Sequence, residues 1–130
     1  MIKGKQSLLF ESPPRIVSYA SIVGKKEGEG PLGKYFDIIE EDPLVGKDNW
    51  ESAESQLQKR AAQMALDKAS LKPEHIRYLF SGDLLGQLIA SSFGMLELQI
   101  PMFGLYGACS TAGEALSLAA MTVAAGYAKH

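Results

Sequence analysis

The chain has 130 residues, 46% hydrophobic and 22% charged, with a formal net charge of −2 and a pI near 5.7. That is the size and balance of one globular domain rather than a disordered polymer. With no basic block, nothing in it suits a phosphate backbone, so no nucleic acid is expected as partner.

A single cysteine, Cys109, forms no internal disulfide and suits a reducing compartment. The amino-terminal stretch MIKGKQSLLFESPPR offers only three apolar residues in a row before a glutamate, too short for a signal peptide. The segment Ala108 to Ala128 has the length of a membrane span, but it carries Ser110, Thr111, Glu114, Ser117 and Thr122 among alanines. Such a sequence inserts poorly into lipid, and a helix buried in protein is expected instead of a transmembrane one.

In chain order, residues 1–14 are polar and end in Pro13-Pro14, which reads as an extended N-terminal arm before a domain over residues 15–130. Arg15 to Val23 is rich in β-branched and aromatic residues and stops at Gly24, the pattern of a first strand. Lys25 to Asp48 is a long connection with Pro31 and Pro43, interrupted by Tyr35, Phe36, Ile38 and Ile39. Connections of that length are often lids or binding loops, and otherwise mobile surface insertions.

Asp48 or Asn49 then caps a helix with Trp50, Ala53, Leu57, Ala61, Met64 and Ala65 on one stripe. Glu51, Gln58, Lys59 and Lys68 are expected to face water, and Leu71 and Pro73 end the helix. His75 comes next, in a charged turn, and reads as a surface histidine. Arg77 to Ser81 is a second strand, ending at Gly82. Leu84, Leu85, Leu88, Ile89, Phe93 and Leu96 recur at helical spacing, with Ser81 or Asp83 as the cap. Pro101 opens a third strand, Met102 to Tyr106, and a turn through Gly107-Ala108-Cys109-Ser110-Thr111 leads into a helix that is small or apolar all round. A helix of that kind must be covered all round. Leaving its Leu, Met and Val side chains wet would forfeit about 1.5–3 kcal/mol each.

Strand, loop, helix, strand, helix, strand, helix predicts an α/β fold: a mostly parallel sheet with helices on both faces. In such sheets, ligands bind outside the carboxyl ends of the strands, where both Asp83 and Cys109 fall. Cys109 sits where a strand gives way to a helix, and the oriented N–H groups of a helix start favour negative charge there. Its sulfur is thus placed to attack an electrophile or to face an anionic ligand; the plainer alternative is a small buried apolar residue. Neither G-x-G-x-x-G nor G-x-x-x-x-G-K-[ST] occurs, and no His/Cys/Asp/Glu cluster has metal-ligand spacing.

Three strings go further: NWESAESQLQKRAAQMALDKASLKPEHI, LFSGDLLGQLIASSFG and IPMFGLYGACSTAGEALSLAAMTVAAGYA. Together they resemble the amino-terminal part of the thiolase superfamily, and within it the thiolase-like stage V sporulation proteins of spore-forming bacteria. The resemblance spans nearly the whole chain, with S-G-D-L-L and G-L-Y-G-A-C-S-T as its most specific segments. It implies a thiolase-like fold of which this chain supplies only the first half of a duplicated unit.

It also implies a non-catalytic protein that binds dipicolinic acid, with or without calcium, and serves its uptake into the developing spore. Asp83 and Cys109 are the implied ligand-binding positions, with no catalytic residue, metal ligand or cofactor. The implied partners are other stage V sporulation membrane proteins and a second copy in a homodimer. The implied location is peripheral, on the cytoplasmic side of the inner spore (forespore) membrane. The competing expectation is a thiolase- or ketoacyl-synthase-type acyl transferase using Cys109 as nucleophile. That chemistry needs a general base and an oxyanion hole beside the sulfur, and neither His75 nor His130 is placed to serve.

Overall fold

A computed structural model describes residues 1–130. The chain is organised around one helix, α2 (Trp50–Lys68), to which the other parts are tied. Asn49 caps it, its side chain accepting from the Ser52 N–H at 2.8 Å. It ends in a Schellman turn: the Leu71 N–H reaches the Leu66 carbonyl at 3.0 Å and the Ser70 N–H that of Asp67 at 3.0 Å. Ser70 takes the left-handed conformation that this turn requires, with φ 54°. The sequence expectation for this helix holds at both ends.

Two parallel strand pairs flank it. In the first, β3 (Ile22–Gly24) pairs with β4 (Ile38–Glu40), Ile22 opposite Ile38. In the second, β5 (Leu79–Ser81) pairs with β6 (Met102–Gly104), Leu79 opposite Met102. A short antiparallel hairpin, β1 (Ile2–Lys3) with β2 (Ser7–Leu8), occupies the amino-terminal arm. The fold is thus α/β, with two small parallel pairs and one antiparallel hairpin as three separate sheets rather than one.

The long connection after Gly24 is built rather than loose. It holds α1 (Lys25–Gly28), a 3-10 turn over Gly33–Tyr35, and β4 itself. Ile38 and Ile39, which interrupt its polar sequence, are the residues that pair with β3. The length suffices for a parallel crossover, which needs about a dozen residues. The first strand is correspondingly shorter than Arg15–Val23 predicts: β4 offers only three residues to pair with, so the ladder starts at Ile22.

Side chains of α2 reach outward to the β3–β4 pair and to the turn after residue 95. Arg60 meets Glu40 of β4 at 2.5 Å, and Lys68 meets Asp37 at 2.5 Å and the Tyr19 carbonyl at 3.1 Å. Lys59 pairs with Glu97 at 2.5 Å. These are half-exposed bridges of modest worth singly, but they fix where α2 lies against the rest.

The third helix, α3 (Ile89–Met95), is seven residues long and packs on α2. This seam is the core: Ala53, Ala90, Ser91, Gly94 and Met95 are buried in it. A Cβ at Gly94 would lie 2.7 Å from the Ser55 carbonyl oxygen, so only glycine lets the helices come this close. The Ser55 hydroxyl crosses the seam to donate to the Ala90 carbonyl at 2.9 Å. Helical spacing predicts that α3 starts at Leu84, but residues 84–88 form a turn. Gly86, Gln87 and Leu88 have φ of 75°, 52° and 80°, and a run of left-handed residues cannot continue into a right-handed helix upstream.

The last helix, α4 (Thr111–Ala124), comes after a 3-10 turn at Ala108–Ser110. It meets β5 and leaves Leu116 61% and Leu118 37% exposed. No helix is long and apolar enough to cross a membrane.

Candidate functional site

Because β5 and β6 run parallel, the segments leaving their carboxyl ends reach the same rim. Asp83 comes two residues after β5, and Cys109 five residues after β6. They line one cavity of about 490 Å³, walled by α2, by the carboxyl end of β5 and by the first turns of α4. The juxtaposition that the S-G-D and G-A-C-S-T segments predict is therefore present. A larger cleft of about 610 Å³ lies at the opposite, amino ends of these strands, between Pro73–Tyr78 and Leu98–Pro101. It contains neither residue, and ligands in parallel sheets gather at the carboxyl ends.

Gly82 makes the rim possible. A Cβ there would sit 2.1 Å from the Leu105 carbonyl oxygen and 2.4 Å from the Thr111 Cγ2. The end of β5 thus presses directly on the chain that carries Cys109, and no side chain fits between them.

Asp83 is buried, 4% exposed, and its carboxylate is fully engaged. Oδ1 accepts from the Leu88 N–H at 3.0 Å, and Oδ2 accepts from the Ser91 N–H at 2.9 Å and the Ser91 hydroxyl at 2.7 Å. It caps α3 as the sequence expectation has it, but at long range, across the turn over residues 84–88. Leu88, at the cap position itself, makes no side-chain cap bond. The carboxylate holds the α3 end against the cavity before any ligand is considered.

Cys109 is exposed, which removes the plain reading of a buried apolar residue. Ala108 before it has φ 51°, a left-handed conformation that costs a residue with a Cβ roughly 1–3 kcal/mol. Three local bonds hold that turn: Ser110 N–H to the Gly107 carbonyl at 3.0 Å, Ser110 hydroxyl to the same carbonyl at 2.7 Å, and Gly107 N–H to Thr111 Oγ1 at 3.1 Å. The Ser110 hydroxyl also lies 2.5 Å from Glu114 Oε1. The thiol is thus presented by a fixed turn.

Gln58 is the correction. Spacing assigns it to the water-facing side of α2, yet it lines the same cavity as Cys109, and the Ser81 hydroxyl donates to its Oε1 at 3.4 Å. The signal was available in the sequence, since Gln58 lies three and four residues before Ala61 and Ala62, which share that wall. Glu54, one turn earlier, is also absent from the sequence expectation. Burial, and then the Asp83 charge, push its carboxyl above the usual range, while a hydrogen bond from Gln58 pulls it partly back.

His75 is exposed in its 3-10 turn, where its Nδ1 accepts from the Lys72 N–H at 3.0 Å. Neither it nor His130 lines the cavity. No group of three or more His, Cys, Asp or Glu side chains is arranged to hold a metal ion.

A family model described as Stage V sporulation protein AD matches residues 4–130. A Bacillus subtilis (strain 168) protein of that name is 38% identical over 128 residues. That alignment covers 98% of this chain and 38% of the relative, so the chain spans well under half the relative's length. The match takes in both strand pairs, α2, α3, α4 and the cavity they form. The chain belongs to the stage V sporulation protein AD family.

Proposed function

We propose that the cavity between Asp83 and Cys109 is part of a binding site for dipicolinic acid, serving its uptake into the developing spore, and that no acyl transfer occurs there. The observation that carries this reading is the shared rim: one thiol and one buried carboxylate brought together at the carboxyl ends of β5 and β6. Mostly apolar walls suit a flat aromatic ring. Asp83 contributes by fixing the α3 end, and Cys109 by direct contact. With no multi-ligand metal cluster in the chain, calcium would arrive as part of the ligand, its chelate.

For the whole protein, the reading is a thiolase-like fold with this chain as the amino-terminal part of a duplicated unit. The exposed Leu116 face of α4 belongs inside that unit. The protein works as a homodimer, peripheral to the inner spore membrane on its cytoplasmic side, beside the other stage V sporulation membrane proteins.

Calorimetric titration of dipicolinate, with and without Ca²⁺, tests the reading. Saturable binding that weakens in Cys109→Ala supports it; no heat at millimolar dipicolinate sinks it. The acyl-transferase alternative draws on the exposed thiol alone. It requires a mass increase on Cys109 after incubation with acyl-CoA, and an unmodified thiol excludes it.

A further inference from the structure

We propose that Thr111 is a ligand-contact residue of this cavity, its hydroxyl donating to an acceptor held beside Cys109, which in dipicolinate is a carboxylate oxygen. This role rests on the dipicolinate reading above and deepens it, adding a contact that neither Asp83 nor Cys109 provides.

Thr111 opens α4 and lines the cavity together with Ala108, Cys109 and Ala112. It is the one buried residue of that helix, 9% exposed. Two contacts hold its side chain. A Cβ at Gly82 would lie 2.4 Å from its Cγ2, so the methyl sits directly on the end of β5. On the other branch, Oγ1 accepts from the Gly107 N–H at 3.1 Å. A β-branched side chain is stiff at χ1, and with both branches engaged only the hydroxyl hydrogen is free to turn.

That hydrogen is unspent. The other hydroxyls of this segment each donate to a carbonyl of the chain: Ser110 to Gly107, Ser117 to Gly113 and Thr122 to Leu118. Thr111 accepts one bond and donates none. A buried hydroxyl that accepts without donating is half satisfied, and buried polar groups as a rule find their partners. The Thr111 hydrogen finds its acceptor in the cavity. Because Thr111 and the exposed Cys109 are two residues apart on the same wall, that acceptor lies beside the sulfur.

The test is calorimetry on the complete protein with dipicolinate as probe. Thr111→Val keeps the shape and removes the hydroxyl, and is expected to weaken binding about tenfold, as for one hydrogen bond to a charged group. Thr111→Ser keeps the hydroxyl and removes the methyl, and is expected to stay within about threefold. Valine also removes the acceptor of the Gly107 N–H, so the alkylation rate of unliganded Cys109 by iodoacetamide is read in each variant as a measure of the turn. An unchanged rate beside a tenfold weaker affinity supports the contact. Thr111→Val within twofold of the unaltered protein, or equal losses in both variants, overturns it while the binding reading stands. A weakened valine variant whose unliganded thiol also reacts at a different rate overturns it too, since the effect then passes through the turn. If the unaltered protein binds no dipicolinate, both readings fall.

Discussion

The α2–α3 seam and α4 are made from similar small residues, yet they end in opposite states. In the seam, Ala53, Ala90, Ser91 and Gly94 bring two backbones together, and Ser55 and Asp83 supply bonds that only one arrangement satisfies. Along α4, alanines are just as frequent, but its hydroxyls at Ser117 and Thr122 bond back to its own carbonyls, and Leu116 stays 61% exposed. Small residues permit close approach in both; in the seam, polar groups aimed across the gap fix one arrangement. The cavity lies where the two regions meet, with α2 and the Asp83 turn on one side and the start of α4 on the other.

That contrast can be broken most sharply at Asp83. Asp83→Ala orphans the Leu88 N–H and both Ser91 donors in a buried place, and is expected to cost more than about 3 kcal/mol by urea unfolding. Next comes a paired comparison of glycines. Gly94→Ala should destabilise by about 1–3 kcal/mol, because the added methyl meets the Ser55 carbonyl at 2.7 Å and overpacks the seam. Gly113→Ala on α4 meets nothing within 4 Å, and should stabilise by up to about 1 kcal/mol through helix propensity alone. Opposite signs at two helical glycines would confirm which helix has a tight neighbour.

The smallest expected effects concern pH. The carboxyl of Glu54 is raised above 4.5 by burial and Asp83, so it favours the folded state most when protonated. That contribution is complete below 4.5 and is lost as pH rises through the raised value; Glu54→Gln should therefore raise the melting temperature near neutral pH and leave it unchanged in acid. Asp37 has the opposite sign. Lys68 and the Ser21 N–H hold it below 3.8, so its contribution is present above that value and is lost as pH falls through the lowered one. Melting curves between about pH 2 and 8, an interval set by these two carboxyls, read both.

Much of this was legible in the chain. Asn49 and the three-and-four spacing from Trp50 to Ala65 mark α2, and Gly82 and Pro101 mark the end of β5 and the start of β6. Parallel strands then place Asp83 and Cys109 at one rim without further information. Other features depend on what lies across space. Apolar spacing from Leu84 to Phe93 looks helical, and only the bond from Leu88 to Asp83 shows why the helix waits until Ile89. Gln58 looks like a surface glutamine because α2 is covered on more than one side, so a single stripe does not identify its buried faces. The pairing of Ile38 and Ile39 with β3 cannot be seen from their polar surroundings, since sheet register is a long-range property.

The claim on which the rest depends is that a ligand occupies the space beside Cys109. The rate at which iodoacetamide alkylates this one thiol, tracked by mass spectrometry with increasing dipicolinate, addresses it directly. The rate should fall several-fold and saturate at the same concentration as the calorimetric binding. Full binding with an unaltered alkylation rate would place the ligand elsewhere and contradict the account.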